Sequence, residues 1–319
     1  MKLKTLIITT ILPVLLLFAC KNNQPETSQT DTQDTLDVVN TMGSPLIEDL
    51  TKKIMAEPEN AIHYAQRGEV YYSKDNFEAA ITDYEQAVTL DSNNYAYHHL
   101  LADAYLDNFQ SEEALKTLEN VAKKAPERIQ TLLKLSEFQL ILRQYEASLE
   151  TTGNILKQSP KHPEAYYMLG RNYKEMGDTA RAVNSFQTTV EEDADHLDAY
   201  IELGILFDQL KKKVSLQYFD NALRIDSINF EALFGKAWYY HQRLDYTNAS
   251  TWYEKTAKFH PKNSQVHLNN GILNLELSNI RKKQEEKKEA LTTAFKKFDL
   301  ATKVDPSYGL AYYLSLIHI

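Results

Sequence analysis

Small side chains recur along this chain at a fixed interval. Gly68, Ala102, Ser136, Gly170 and Gly204 stand 34 residues apart, and after a one-residue deletion near Lys211–Lys213 the series resumes at Ala237 and Gly271. Three residues beyond them lie Tyr71, Tyr105, Gln139, Tyr173, Phe207, Tyr240 and Asn274, mostly aromatic. A second small column follows at Ala80, Ala114, Ser148, Ala182, Ser215 and Ala249, and four residues later come Tyr84, Leu118, Thr152, Phe186, Phe219 and Tyr253. Pro58, Pro126, Pro160, Pro261 and Pro306 form a last column. Helices approach to about 8–10 Å only where the crossing side chains are small, and neighbouring aromatics fill the space that is left. Proline lacks an amide donor and disfavours helix in the residue before it, so its column closes the second helix of each unit. Asp75-Asn76 and Gly177-Asp178 are turn signals between the two helices. A helix pair this short cannot bury its apolar face alone, and stacking on neighbours supplies the missing surface.

These columns resemble the tetratricopeptide repeat from about residue 46 to residue 313. The resemblance implies an all-α fold, a solenoid of antiparallel helix pairs forming a right-handed superhelix. A capping helix is expected within 46–60 and the solenoid over 61–313. Its repeats fall near 61–94, 95–128, 129–162, 163–196, 197–229, 230–263 and 264–308, with a truncated eighth from 309. The seventh is stretched, because Pro261 and Pro306 are 45 residues apart. Its charged run Arg281 to Glu289 predicts a longer, solvated helix hairpin, with a docking surface as the alternative. Ala311-Tyr312-Tyr313 opens a further first helix that the chain does not complete, so the sequence is expected to be a fragment. Residues 314–319 resemble the translation of a transposon-end adapter and read as a non-native tail.

The amino terminus carries a different signal. Lys2 and Lys4 precede an apolar stretch from Leu6 to Ala19 that is too short, and too interrupted by Pro13, to favour a membrane span. Leu17-Phe18-Ala19-Cys20 resembles the lipobox of bacterial lipoproteins. That resemblance implies that residues 1–19 are a signal peptide and that Cys20, the only cysteine, is lipidated. Residues 20–45 are then a polar tether, spanning on the order of 25–30 Å as a flexible coil. The implied location is the bacterial cell envelope, facing the periplasm. Lys21 after the cysteine resembles the outer-membrane sorting pattern more than the inner.

Chemistry is hard to find in this sequence. A formal charge of -9 argues against nucleic acid as a partner. One cysteine excludes an intramolecular disulfide or a thiolate zinc site. The nine histidines lack metal-ligand spacing, and no Gly-rich phosphate loop is present. No catalytic residue, metal, cofactor or small-molecule substrate is therefore expected. The repeat resemblance implies instead that the first helices line a groove for protein or peptide clients. Carried onto this chain, the groove column triplets begin Ala65, Glu69, Tyr72, then His99, Asp103, Leu106, then Leu133, Glu137, Leu140. They continue with Tyr167, Arg171 and Lys174, then Ile201, Ile205 and Asp208. Phe234, Trp238 and His241, then Leu268, Ile272 and Leu275, make the last repeats distinctly apolar. Phe234 and Trp238 fit either the groove or the core equally well. Ala65, Glu69 and Gln130 are not the lysines and asparagines of a carboxylate clamp. The reading is a lipid-anchored adaptor. The alternatives are a permanent subunit of an envelope assembly, or the non-catalytic N-terminal part of a larger protein. If Cys20 bears the anchor, Cys20→Ser will abolish incorporation of a fatty-acid analogue during metabolic labelling; equal label in both proteins refutes it.

Overall fold

A computed structural model describes residues 47–307. The signal segment, Cys20, the tether, the eighth repeat from 309 and the 314–319 tail lie outside the described residues. Within them are fifteen helices and no strand. A single helix, α1 (Ile47–Ala56), precedes the first pair, α2 (Ala61–Tyr72) and α3 (Phe77–Leu90). The second and third pairs are α4 (Tyr95–Asp107) with α5 (Ser111–Lys124) and α6 (Ile129–Ile141) with α7 (Tyr145–Gln158). Then come α8 (Pro163–Glu175) with α9 (Thr179–Glu192) and α10 (Leu197–Gln209) with α11 (Ser215–Ile225). The last are α12 (Phe230–Gln242) with α13 (Tyr246–Phe259) and α14 (Ser264–Ile280) with α15 (Gln284–Val304). Each helix packs on its neighbours in sequence, and beyond that first helices touch first helices, as in α4–α6, α6–α8 and α10–α12. Such nearest-neighbour packing makes a solenoid.

The two columns lock each pair together. Ala80, Ala114, Ser148, Ala182, Ser215 and Ala249 are fully buried, and Ala294 holds the same place in the seventh pair. An aromatic ring of the second helix lies where a glycine of the first helix has no Cβ. A Cβ built on Gly68 would sit 2.7 Å from the Tyr84 ring, on Gly170 2.5 Å from Phe186, and on Gly204 2.6 Å from Phe219. Where the first helix offers Ala102 the partner is Leu118, and both are fully buried. Repeat three replaces the ring with hydroxyls: Ser136 Oγ lies 2.9 Å from Thr152 Oγ1 and 3.3 Å from Ser148 Oγ. Asn172 of the next repeat donates to Ser148 Oγ at 2.9 Å, so this polar core also joins repeats three and four.

The turns inside the first six pairs are built alike. Asp75, Phe109, Arg143, Gly177, Lys211 and Leu244 all have positive φ, from 56° to 80°. The next residue donates its N–H five residues back, as Asn76 does to Tyr71, Gln110 to Tyr105 and Asp245 to Tyr240. This is the Schellman closure of a helix C-terminus, which normally uses glycine. Left-handed backbone costs a residue with a Cβ about 1–2 kcal/mol, and only Gly177 escapes that cost. Asn76, Asp178 and Asp245 then accept from the first amides of the second helix as N-caps. The stretched seventh repeat puts its surplus into helix: α14 has 17 residues and α15 has 21, joined by only 281–283.

Gly204→Leu should destabilise the protein by about 1–3 kcal/mol through overpacking against Phe219. Gly153, inside α7 with nothing within 4 Å of a Cβ, is the matched control. Gly153→Ala should raise stability by about 0.5–1 kcal/mol in the same denaturant titration. Equal effects of the two changes would contradict the interlock.

Candidate protein-binding face

The first helices α2, α4, α6, α8, α10, α12 and α14 are stitched to one another by polar pairs about one repeat apart in sequence. The Tyr72 hydroxyl donates to Asp107. Lys134 pairs with Asp103 at 2.7 Å and Arg171 with Glu137 at 3.1 Å. Lys174 reaches Glu202 at 2.7 Å, Arg243 reaches Asp208 at 2.7 Å, and His241 Nε2 lies 3.2 Å from Glu276. Every neighbouring pair of first helices is bridged in this way. Several of these groups, including Tyr72, Asp103, Glu137 and Arg171, are groove positions, so much of the polar equipment of this face is already engaged within the array. Sequence reasoning missed the partners Lys134, Glu202, Arg243 and Glu276. Their only signal was complementary charge at separations of 28 to 35 residues.

Burial sorts the expected groove residues. Ile201, Phe234, His241 and Leu268 are buried. Phe234 stacks on Phe230 with centroids 5.4 Å apart and meets the Tyr253 ring edge-on, and His241 Nδ1 lies 3.1 Å from the Tyr253 hydroxyl. Phe234 therefore takes the core alternative. Tyr167, Arg171, Ile205, Trp238, Ile272 and Leu275 are partly exposed. Trp238 is partly exposed, packs against the cluster that holds Phe234 and Tyr253, and makes a T-shaped contact with His241, centroids 5.8 Å apart.

One column stays half-exposed in every repeat: Glu69, Asp103, Glu137, Arg171, Ile205, Trp238 and Ile272. Its chemistry changes along the array from three carboxylates, through one guanidinium, to three apolar side chains. Burial raises the Glu69 carboxyl above its usual range, and Glu69 has no ion pair among the described residues. Burial likewise raises Asp103, with Lys134 opposing. His99, one helical turn before Asp103 in α4, is held down at about 4 by burial, with Lys134 adding to the effect. Among the described residues no cluster of His, Cys, Asp or Glu could hold a metal ion, and no helix is long and apolar enough to cross a membrane.

Comparison with known proteins agrees with this geometry. The TPR repeat family model matches residues 68–108, and the tetratricopeptide repeat model matches 164–196, which is the fourth repeat. No curated protein gives a significant match. Among solved structures, a tetratricopeptide repeat protein from Parabacteroides merdae is 17% identical with a TM-score of 0.55, covering 80% of this chain and 97% of that one. PilF of Pseudomonas aeruginosa is 17% identical with a TM-score of 0.51, covering 63% and 92%.

The pair Glu164–His196, between α8 and α10, gives the ladder a pH signature. Its atoms are 2.9 Å apart, and the Tyr167 ring lies 4.7 Å from the imidazole. Burial pulls the His196 pKa down, but the hydrogen bond and charge of Glu164, helped by Asp198 and Asp193, outweigh it and raise the value. Burial opposes ionisation of Glu164, yet His196 lowers it overall. The raised imidazole contributes fully below its unfolded pKa of about 6.5 and loses its contribution as pH rises through the folded value; the lowered carboxyl contributes above about 4.3. A double-mutant cycle of Glu164→Gln and His196→Asn should give a coupling of about 0.5–1 kcal/mol near pH 5.5 that falls as pH rises through the raised imidazole pKa. A flat coupling would contradict this charge assignment. Seven helix pairs stand in one register, and the repeat models match 68–108, across the first and second pairs, and 164–196, in the fourth: the chain carries tetratricopeptide repeats.

Proposed function

We propose that this protein is an adaptor of the bacterial cell envelope, tethered by a lipid on Cys20, that captures protein or peptide segments on the face of its first helices. The half-exposed column from Glu69 to Ile272 carries this reading. Asp103, Glu137 and Arg171 of this column are themselves paired across neighbouring helices, so Glu69 at one end and Ile205, Trp238 and Ile272 at the other are its members that carry no such pair among the described residues.

Its gradient specifies the client. The under-compensated carboxylates Glu69 and Asp103 are complementary to cationic side chains, and Ile205, Trp238 and Ile272 to an apolar run. An amphipathic segment with lysine or arginine at one end and aliphatic or aromatic anchors at the other fits both halves. Recognition, rather than catalysis, is also what tetratricopeptide arrays generally serve.

Panning a random peptide library against the full chain tests the reading. Enriched peptides should be basic at one end and apolar at the other. Trp238→Ala with Ile272→Ala should weaken the best of them by about tenfold or more while helicity is kept, and Glu69→Gln with Asp103→Asn should reduce the salt dependence of binding. Peptides without that polarity, or affinities indifferent to both double variants, would overturn it.

A further inference from the structure

The first helices run parallel to one another, because residues near their C-terminal ends meet across neighbouring repeats: Tyr72 with Asp107, Asp208 with Arg243, and His241 with Glu276. All turns inside the pairs therefore lie along one edge of the array, and all turns between pairs along the opposite edge. The first edge carries one exposed apolar side chain in every pair from the second to the seventh: Phe109, Ile141, Met176, Leu210, Leu244 and Ile280. Phe109 is 93% exposed and Leu244 66% exposed, and both occupy the strained left-handed position where glycine or asparagine would be easier. Neither packing nor backbone geometry calls for these side chains.

The same edge is cationic within an acidic chain. Lys211, Lys212 and Lys213 fill one turn and Arg281, Lys282 and Lys283 another, with Lys74 and Arg143 in two more. Arg243 is engaged by Asp208, and Arg281 and Lys283 by Glu286, but the three lysines from 211 have no ion pair among the described residues. Asp75, Asp178 and Asp245 are the carboxylates of these turns, and the last two are tied up as helix caps. The opposite edge has the reverse sign. Asp91, Asp193, Asp195, Asp226 and Asp305, with three glutamates, outweigh Arg128, Lys161 and Lys262, and the exposed apolar side chains there, Met55, Ile62, Ile228 and Phe259, are confined to three of its turns.

We infer that the edge of within-pair turns is a peripheral docking surface for an anionic phospholipid bilayer, on which the array lies with its acidic edge turned away. Isolated apolar side chains, one per pair and interspersed with lysines, suit an interface where each ring or chain slips between headgroups while ammonium groups meet phosphates. A folded protein partner would need a separate pocket for each protrusion, and this edge offers no continuous apolar patch that one could cover. Docking of this kind is independent of the lipid on Cys20. The acyl chains would keep the chain near a membrane, and the edge would fix which way it faces.

Amide hydrogen exchange on the full chain, with vesicles of phosphatidylglycerol or of phosphatidylcholine, tests the inference. Anionic vesicles should slow exchange about fivefold or more around Phe109, Lys211–Lys213 and Leu244, while neutral vesicles do not and the turns at 91–94, 193–196 and 226–229 stay unchanged. Lys211→Glu combined with Lys212→Glu and Lys213→Glu should erase the slowing around residue 211 without loss of helicity. Co-flotation of the chain with vesicles but no slowing would show an anchor without edge docking and overturn the inference. Equal slowing at both edges, or with neutral vesicles, would also overturn it. So would slowing that grows with protein concentration in the absence of vesicles, which would assign the edge to a second copy of the chain.

Discussion

Four of the seven pairs hang on rings lodged where backbone lacks a side chain. Phe219 of α11 is the clearest case, since a Cβ on either Gly204 of its own pair or Gly235 of the next would come within 2.6 Å of the ring. One aromatic thus sets the spacing inside a repeat and the spacing to its successor. Burying such a ring contributes about 1.5–3 kcal/mol, and the close backbone approach adds dispersion that a looser contact would forfeit. The polar ladder depends on this spacing. The ion pairs of 2.7 Å that join α8 to α10 and α10 to α12 lie between first helices seated on Phe186 and Phe219.

Repeat three departs from the rule with a physical consequence. Ser136, Ser148 and Thr152 replace small and aromatic residues with hydroxyls that bond one another, and Ser148 also donates to the Ser136 carbonyl at 2.7 Å. Each such bond contributes only about 0.5–1.5 kcal/mol net, less than the ring it replaces, and each fixes direction instead of merely filling volume. Asn172 Oδ1 remains buried without a partner beside this cluster, an added cost. Repeat three is therefore held more by directed hydrogen bonds and less by apolar burial than the pairs built on a ring.

The fold was legible in the sequence because close helix approach admits only small residues, and that demand repeats with the period of the unit. Gly68, Gly170, Gly204 and Gly271 announce it directly. The candidate face was only half legible. Ile201, Phe234 and Leu268 share a column with the partly exposed Leu133 and Tyr167, and an apolar residue at a given helical spacing serves core and groove alike. What separates them is helix rotation by a few tens of degrees and the bulk of neighbours such as Phe230 and Tyr253, neither of which the period encodes. The ladder partners were hidden for the same reason: Lys134 and Glu202 look like ordinary surface charges until the stacking brings Asp103 and Lys174 to them.

A face whose charges already pair with one another recognises little by charge, because a client ion must compete with partners fixed at hydrogen-bond distance and loses hydration in doing so. Electrostatic gain is left to groups that the array desolvates without fully compensating. Glu69, lifted by burial and without an ion pair among the described residues, and Asp103, lifted despite Lys134, are such groups, and they lie at the end of the column opposite Trp238 and Ile272. On the function proposed for this face, specificity for a segment's direction would follow from separation rather than from any single contact. A client bound in reverse would bring its apolar anchors to carboxylates and its cations to Trp238 and Ile272, leaving both ends without compensation.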